Sequence, residues 1–434
     1  MTSSFNQYIK IFLSIFFLFS LTKAEVFPVA DIMVNGSQDS RVNIVFLGDG
    51  YTAQEMSSYI NDVEEVVDGL FNTVPYSNYI NHFNVFAVEV PSNESGTDHP
   101  GTASDCGGEA GNVFYADTYF DSSFDLYGIH RLLYIQNTSA AFDVLMDNVP
   151  NWDIVFVMVN TTMYGGAGGS FAVFSRAESS TEIAIHEIGH SFVGLSDEYW
   201  AGFQYANENT NMTQETDPSV VRWESWMNEN GVGIYPYESP GSDWHRPHQN
   251  CKMRYLGPPF CSVCSENTVK TIYSTVNMIE GYYPPNNNIF IEADGVEFFS
   301  VTPILNSPNY ISTGWYLDGE LVSQNSSFEL DATMYTGGQY QLKVLVEDFT
   351  DLVRNDSSNI LKSEIQWGLE IEDILVGDIN FDGVINILDV VLAVSTVLDN
   401  QYNPAADLNS DGVVDVIDIV QIVNIVINIS TIKI

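Results

Sequence analysis

Two histidines and a glutamate stand at a spacing that could bind a metal ion and activate water. In the run His186-Glu-Ile-Gly-His190, the histidines are four residues apart, so on an α-helix both imidazoles lie on one face. Two such imidazoles can bind one Zn²⁺ ion, and Glu187 between them can take a proton from a water molecule that attacks a carbonyl. We therefore predict a catalytic zinc site with His186 and His190 as ligands and Glu187 as the general base.

The residues after this motif offer a third ligand. The chain continues through Gly194 to Asp197, Glu198 and Tyr199. A glycine lets a helix end and the chain double back, and metzincins take their third ligand three residues after such a glycine. We expect Asp197 to be the third zinc ligand, with Glu198 as the second choice; alternatively, the two acids only cap the next turn. Tyr199 is expected to stabilise the oxyanion.

A twelve-residue loop with the spacing of a calcium site occurs twice near the carboxy terminus. Oxygen-bearing side chains stand at positions 1, 3, 5, 9 and 12, with Gly383 and Gly412 at position 6 for the sharp turn and a backbone carbonyl expected at position 7. The predicted ligands are Asp378, Asn380, Asp382, Val384, Asn386 and Asp389 in the first loop, and Asp407, Asn409, Asp411, Val413, Asp415 and Asp418 in the second. The duplication predicts two structural Ca²⁺ ions, against the alternative of two Asx-rich turns without metal.

The duplicated segment, residues 375–434, resembles a type I dockerin. The segment differs from an EF-hand in two ways: position 12 of each loop is Asp rather than Glu, and no amphipathic helix precedes either loop. The resemblance implies a small α-helical module that binds a cohesin-type scaffold or cell-surface receptor. In that family, loop positions 10 and 11 face the cohesin. These positions are apolar here, which is compatible with a hydrophobic contact to a cohesin and equally compatible with a core. These positions are Ile387, Leu388, Val416 and Ile417.

Residues 25–281 have the pattern of a mixed helix and strand domain. β-like runs at residues 42–47 and 152–160 alternate with helical patterns such as residues 54–70. We predict an α/β (α+β) unit large enough for a core and a cleft.

This region resembles peptidase family M64, the metalloendopeptidases typified by a bacterial IgA protease. The matching segments are Leu47–Thr52, Val90–Gly96, Tyr164–Gly169, His186–Tyr199, Asn250–Arg254 and Phe260–Cys264. The resemblance implies a zincin-type zinc endopeptidase with His186 and His190 as ligands and Glu187 as the base. It does not imply IgA as the substrate.

Two segments in this region have open interpretations. The four glycines of Tyr164–Gly169 are compatible with an edge strand that pairs with a peptide substrate, or with a plain loop. Met253 is compatible with a methionine turn beneath the metal, or with a core position.

A turn-rich stretch at residues 282–288 predicts a domain boundary. The short alternating runs that follow predict an immunoglobulin-like β-sandwich over residues 282–372, with Trp315 in its core. The chain is therefore predicted to be multidomain.

The amino terminus and the charge indicate export. Lys10 and the apolar run at residues 11–21 make residues 1–24 a predicted secretory signal peptide, and no membrane span is expected in the mature protein. With 14 Lys and Arg against 57 Asp and Glu, the net charge of −43 excludes a nucleic-acid partner. The small number of Lys and Arg residues is typical of a secreted protein from a salty habitat. Part of the excess of carboxylates is explained if some of them are metal ligands.

Four cysteines accompany this predicted export: Cys106, Cys251, Cys261 and Cys264. Cys261 and Cys264 could form half of a zinc site, but no second CxxC pair exists, so we expect disulfides, with three possible pairings.

The sequence thus favours a secreted, extracellular or cell-surface zinc endopeptidase that acts on protein or peptide substrates and is tethered by a dockerin-like module. The alternative is a catalytically silent scaffold component that uses the peptidase-like domain to recognise protein or glycan.

Overall fold

The computed structural model describes residues 26–109, 111–373 and 375–432, so the predicted signal peptide lies outside the described residues. The six α-helices of the described residues are α1 Met56–Phe71, α2 Thr138–Asn148, α3 Ser180–Ser191, α4 Ser262–Thr275, α5 Ile387–Leu398 and α6 Val416–Ile432. The strands are β1 Val29–Met33, β2 Val42–Asp49, β3 Phe83–Val88, β4 Ser122–Ser123, β5 Tyr134–Ile135, β6 Ile154–Val159, β7 Gly166–Ala167, β8 Ala172–Ser175, β9 Tyr235–Pro236, β10 His245–Arg246, β11 Ile279–Tyr283, β12 Asn288–Ile291, β13 Val296–Pro303, β14 Ile311–Leu317, β15 Glu320–Ser323, β16 Ser327–Asp331, β17 Gly338–Asp348 and β18 Lys362–Ile371.

A six-stranded sheet with the order β1-β3-β2-β6-β8-β7 organises the amino-terminal region. The four inner strands are parallel, and β1 and β7 lie antiparallel at the edges. Every residue of β2, β3 and β6 is buried, as expected for strands covered on both faces. The mixed helix and strand fold and the predicted strands β2 and β6 are confirmed.

Helices cover the two faces of this sheet. Alternate side chains of β2 point to opposite sides, so Ile44 and Phe46 share one core with α1 and α3, whereas Val45 and Leu47 share another core with α2. The predicted helix at residues 54–70 is confirmed as α1. Helix α3 follows β8 directly and packs against both α1 and β8, so the sheet fixes the position of the His186–His190 motif.

Two further sheets pack face to face beyond this region. One has the order β11-β13-β16 and the other β12-β18-β17-β14-β15. Phe299 from the first sheet contacts Trp315 and Trp367 from the second, with ring centroids 6.3 and 5.4 Å away. Trp315 is fully buried, as predicted. Strand β11 begins at Ile279, so the expected boundary between residues 281 and 282 falls inside a strand of this sandwich.

The sandwich shares a buried hydrogen-bonded contact with the first region. The Oδ2 atom of Asp348 at the end of β17 accepts hydrogen bonds from the hydroxyl groups of Tyr79 and Tyr273 and from Nδ2 of Asn306, each at 2.8 Å. Because these donors come from separate segments of the chain, Asp348 joins the sandwich to the helices beneath it.

The carboxy-terminal segment forms a compact pair of helices. Helices α5 and α6 pack around a small core that includes Ile379, Ala393 and Ile422. Helix α5 begins at Ile387 and α6 at Val416, each at position 10 of its twelve-residue loop, which agrees with the small α-helical module that the resemblance implies. Within the described part of the chain, no helix combines the length and the apolar character that crossing a bilayer requires.

Candidate functional site

Helix α3 carries the His186–His190 motif, and main-chain carbonyls orient its two imidazoles. Nδ1 of His186 donates to the carbonyl of Lys252 at 2.9 Å, and Nδ1 of His190 donates to the carbonyl of Leu195 at 2.7 Å. A carbonyl accepts only, so each Nδ1 carries the proton and each Nε2 is left to bind a cation.

The two Nε2 atoms and one carboxylate oxygen converge on a single point. The Nε2 atoms of His186 and His190 lie 3.1 Å apart, and Oδ1 of Asp197 lies 3.1 Å from the first and 3.2 Å from the second. Bare Nε2 lone pairs this close repel one another unless a cation lies between them. The spacing suits a tetrahedral ion with bonds of about 2.0–2.2 Å to nitrogen and oxygen, so these three residues fit a zinc ion.

A sharp turn after α3 brings Asp197 back to the histidines. Gly194 has φ +74°, a conformation that a Cβ disfavours, and its N–H donates to the carbonyl of His190 at 3.1 Å. Tyr237 donates its hydroxyl to the carbonyl of Asp197 at 2.6 Å and holds the far side of the turn. The structure thus brings together the three residues that the sequence proposes as ligands.

Electrostatics at this point favour a positive charge. Burial disfavours the charged form of Asp197, but hydrogen bonds with the two imidazoles outweigh burial and hold the pKa of Asp197 below its usual range. Burial likewise opposes a charged His190, but the hydrogen bond and charge of Asp197 raise the pKa of His190 to about 9. A cation at this position, proton or metal, is therefore stabilised.

Glu187 lies beside this cluster and lines a cleft. Burial raises the pKa of Glu187, while the charges of the two histidines and Arg131 oppose that shift. A Cβ added to Gly168 would lie 2.7 Å from its Oε2 atom, so the glycine leaves room for the carboxylate. A carboxylate with a raised pKa is a stronger base, which suits proton transfer.

Tyr199 separates two pockets on either side of the three converging ligands. Its ring stacks on that of His186, with centroids 6.4 Å apart and an interplanar angle of 20°. It lines one pocket with Glu187 and the other with Asp197. Burial, followed by the charge of Asp197, raises the pKa of Tyr199, so its hydroxyl stays protonated and can donate a hydrogen bond.

Sequence reasoning missed two arginines at the cleft. Arg131 and Arg254 line the same pocket as Glu187. Both come from segments far from α3 in sequence; Arg254 ends the matching segment Asn250–Arg254, although no role was predicted for it, and no motif contains Arg131. The one available signal is rarity, because the chain has only 14 Lys and Arg and two of them are here.

The glycine-rich segment before α3 contains an edge strand. Strand β7, Gly166–Ala167, lies at the end of the six-stranded sheet and pairs antiparallel with β8. Gly166 also lines the cleft beside Glu187. Of the two interpretations of this segment, the edge strand is the one that the structure contains.

Met253 packs directly under α3. A Cβ on Gly189 would lie 2.5 Å from Sδ of Met253, and the methionine is fully buried. Gly189 therefore allows the Met253 segment to approach the helix between the two histidines. Met253 is therefore a core residue packed against α3, and its interpretation as a methionine turn beneath a metal stays a prediction.

Glu198 points away from Asp197 into a cluster of cysteines. Its Oε1 atom lies 3.3 Å from Sγ of Cys264 and 4.0 Å from Sγ of Cys261. The second-choice ligand is therefore not among the groups that meet at the histidines.

The disulfide prediction is wrong for this structure, because all four cysteines are free thiols. The Sγ atoms of Cys251 and Cys264 are 3.8 Å apart, far beyond the bond length of about 2.05 Å. Cys106 lies elsewhere, with its Sγ 3.3 Å from Nδ1 of His130.

The two carboxy-terminal loops have matching internal hydrogen bonds. In the first, Oδ2 of Asp378 accepts from the N–H of Gly383 at 2.7 Å, and Oδ1 of Asp389 accepts from the N–H of Ile379 at 2.8 Å. In the second, Asp407 accepts from Gly412 at 2.9 Å, and Asp418 accepts from Leu408 at 3.0 Å.

The charge of these loops fits calcium. The buried carboxylates are those of Asp378, Asp389, Asp407 and Asp418. Residues 375–432 contain no Lys, Arg or His that could neutralise them. Oxygen donors at these spacings fit two Ca²⁺ ions, which would supply that charge.

The four apolar residues that the dockerin resemblance assigns to cohesin contact are on the surface. Ile387, Leu388, Val416 and Ile417 are each more than half exposed. Of the two alternatives, core or contact surface, the structure favours a surface.

Comparisons with solved structures gave weak matches, and a comparison with curated proteins gave none. A quinonprotein alcohol dehydrogenase-like protein from Bacteroides thetaiotaomicron is 10% identical, with a TM-score of 0.18, and the match covers 24% of this chain and 22% of that one. Fibronectin(III)-like modules from Clostridium thermocellum are 13% identical, with a TM-score of 0.16, over 21% of this chain and 94% of that one. An endo-beta-1,4-mannanase from Thermotoga petrophila is 10% identical, with a TM-score of 0.17, over 76% of this chain and 65% of that one.

Family models match two parts of the chain. Residues 30–240 match the model described as IgA Peptidase M64, and residues 376–427 match the Dockerin type I domain. Both matches agree with the resemblances drawn from the sequence. The recognition of an M64-like peptidase region at residues 30–240 and of a type I dockerin module at residues 376–427 is therefore confirmed.

Proposed function

We propose that this protein is a secreted, zinc-dependent endopeptidase that hydrolyses peptide bonds of extracellular proteins. The observation that carries the proposal is the convergence of His186, His190 and Asp197 on one point within 4.8 Å, beside a cleft that Glu187 lines. The match of residues 30–240 to a peptidase family supports the reaction class.

The chain's own residues divide the chemistry between them. A zinc ion held by His186, His190 and Asp197 would polarise the scissile carbonyl and lower the pKa of the attacking water. Glu187 takes the proton from that water and delivers it to the leaving amine nitrogen. The hydroxyl of Tyr199 donates a hydrogen bond to the carbonyl oxygen as negative charge develops there.

Strand β7 provides a place for the substrate backbone. An extended peptide could run along the edge strand Gly166–Ala167 and so pass in front of Glu187, although the N–H of Gly166 already donates to the carbonyl of Arg131 at 3.0 Å. Arg131 on the same cleft would favour acidic groups near the scissile bond, whereas Arg254 already pairs with Glu238 at 2.5 Å.

The dockerin domain would tether the enzyme. Dockerin domains bind cohesin scaffolds, and we propose that two Ca²⁺ ions shape this one and that Ile387, Leu388, Val416 and Ile417 form its contact surface. A Leu388→Asp variant should bind an immobilised cohesin at least tenfold more weakly, because a charge would be buried at the contact. Leu398→Asp, at the far end of α5, is the control.

The proposal keeps the domain limits expected from the sequence, except that the sandwich is proposed to begin at Ile279, because β11 pairs with β13. The expected limits are a signal peptide at residues 1–24, a zincin-type unit at 25–281, an immunoglobulin-like sandwich at 282–372 and the dockerin at 375–434. Secretion follows from the signal peptide and from the extracellular setting typical of dockerins.

Cleavage of casein or gelatin by the purified full-length chain tests the proposal. Glu187→Gln keeps the shape of the side chain but removes the base, so it should lose activity by at least about 100-fold while keeping its zinc. Glu178→Gln, exposed just before α3, should keep full activity. A Glu187→Gln protein with full zinc and full activity would overturn the mechanism, and a zinc-loaded wild type without activity would favour the silent binding role.

A further inference from the structure

A second group of metal-ligating side chains lies behind the proposed catalytic site. Glu198, Cys251, Cys261 and Cys264 each offer one ligand atom, and these four atoms all lie within 4.8 Å of one another. None of the four residues is more than 6% exposed. The cluster is separate from the three residues that converge at the histidines, although Glu198 directly follows Asp197 in the chain.

The distances within the cluster match a tetrahedral ion. Zinc–sulfur bonds of about 2.3 Å place two sulfur ligands about 3.8 Å apart, and a sulfur and an oxygen ligand about 3.5 Å apart. The Sγ atoms of Cys251 and Cys264 are 3.8 Å apart. Oε1 of Glu198 lies 3.3 Å from Sγ of Cys264 and 4.0 Å from Sγ of Cys261.

Glu198 lacks the partner that a buried carboxylate needs. Its Oε2 atom has no hydrogen-bond partner among the described residues, and Oε1 accepts only a 3.3 Å bond from Nδ2 of Asn211 besides the thiol contacts. Arg246 is close, but its Nη1 atom donates to the backbone carbonyl of Glu198 rather than to the carboxylate. A buried carboxyl group in this situation must be neutralised by a proton or by a bound cation, and the three sulfur atoms beside it suit a cation.

We propose that Cys251, Cys261, Cys264 and Glu198 bind a second, structural zinc ion. Three thiolates with one carboxylate form a closed four-ligand set, and thiolate-rich sites of this kind select zinc over harder cations. The start of α4 favours the thiolates, because Cys264 lies in its first turn and the N–H of Cys261 points to Sγ of Cys251 at 3.3 Å. The three thiol protons pass to solvent when the ion binds.

This ion would fix the backbone around the catalytic site from two sides. Glu198 follows Asp197, and its N–H donates to the carbonyl of Met253 at 2.7 Å. Cys251 precedes Lys252, whose carbonyl orients His186. The four ligands therefore act as positioning residues for both segments, and the proposal rests on their geometry rather than on peptidase activity.

Zinc content and sulfur ligation in the full-length protein test the proposal. Wild type should contain about two zinc ions per chain, and a His186→Ala/His190→Ala variant about one. X-ray absorption at the zinc edge of that variant should show about three sulfur neighbours at about 2.3 Å. Cys261→Ser should lose one zinc ion, whereas Cys106→Ser, whose sulfur lies in another loop, should keep the sulfur signal.

Two results would overturn the proposal, and neither requires a cysteine variant to fold. The first is a His186→Ala/His190→Ala protein that binds no zinc, or binds it without sulfur neighbours. The second is found by alkylating unreduced, denatured wild type: a disulfide between two of Cys251, Cys261 and Cys264 would exclude the site. Three alkylated thiols together with sulfur-bound zinc would support it.

Discussion

The carbonyl oxygen of Lys252 lies 2.9 Å from Nδ1 of His186 and joins the proposed catalytic helix to the segment that carries Cys251 and Met253. This bond fixes the tautomer of His186, as the carbonyl of Leu195 does for His190. The histidine pair is therefore positioned by main-chain atoms from two different segments. Substitutions in either segment should therefore change the orientation of the imidazoles at the proposed metal site, although no ligand is replaced.

Asp197→Ala should remove the third ligand and impair zinc binding. Changes to outer partners of zinc ligands cost roughly 10- to 100-fold in affinity, and the loss of a ligand should cost more. Competition with a chromophoric chelator would measure the affinity, with the exposed Asp217→Ala as the control. Unchanged zinc affinity in Asp197→Ala would show that Asp197 does not bind the ion.

Gly189→Ala should destabilise the protein although alanine is the better helix former. The new Cβ would lie 2.5 Å from Sδ of Met253, which is fully buried, and 3.5 Å from a ring carbon of Phe260, so the methionine would have to shift within the core. Overpacking of this kind costs about 1–3 kcal/mol, against a gain of about 1 kcal/mol from helix propensity. Urea unfolding of the single variants and of Gly189→Ala/Met253→Ala should reveal coupling, with the double variant more stable than the sum of the two losses predicts. Strict additivity would contradict the contact.

Local patterns predicted much of this molecule because they depend on neighbours in sequence. The apolar run in β2, the helical spacing in α1 and the Asx-rich loops that lead into α5 and α6 all have short-range causes. The Gly194 turn is also local, and it places Asp197 beside the histidines, as the spacing after His190 indicates.

Contacts between segments that are distant in sequence could not be predicted from such local patterns. Asp197 and Glu198 are adjacent, yet they point to opposite sides of the chain because one meets α3 and the other meets the start of α4. The disulfide prediction failed for the same reason, since spacing alone cannot show that three cysteines surround a carboxylate. Arg131 reaches the cleft through its loop, with no sequence signal near α3.

The stability of the protein should fall as the pH falls from about 6.5 to 4 because of His82. Burial, followed by the charge of Arg41, lowers the pKa of His82 from 6.5 to about 4. The unfolded chain therefore binds the proton first, so the full stability is present above pH 6.5 and is lost as the pH falls toward the folded value. The loss by pH 4 should be about 3 kcal/mol.

Replacing the histidine with Phe isolates this contribution. His82 is buried between the rings of Tyr79 and Tyr273, each 5.4 Å away, so an apolar ring suits the site. Urea midpoints measured between pH 4 and 8 should give a shallower acid limb for His82→Phe than for wild type. Parallel curves would show that His82 does not cause the acid sensitivity.

Asp348→Ala should destabilise the peptidase region as well as the sandwich. The substitution would leave the buried hydroxyl groups of Tyr79 and Tyr273 and the amide of Asn306 without their acceptor. Each unsatisfied buried group costs about 1–3 kcal/mol, so a loss of at least about 3 kcal/mol is expected. Calorimetry should show the shift, with the exposed Asp351→Ala nearly unchanged. A shift confined to one of two separate transitions would mean that the contact does not couple the regions.

Removal of calcium should unfold the dockerin domain. The carboxylates of Asp389 and Asp418 are fully buried in a segment that has no basic residue through residue 432, so their charges would be uncompensated without the ions. Titration calorimetry with Ca²⁺ should find two sites in wild type and one in Asp389→Ala, while the exposed Asp399→Ala keeps both. The magnitude of the ellipticity at 222 nm should fall with EDTA and recover with excess Ca²⁺. The change should correspond to the unfolding of helices α5 and α6. A protein that shows neither heat nor a change in ellipticity would not contain these sites.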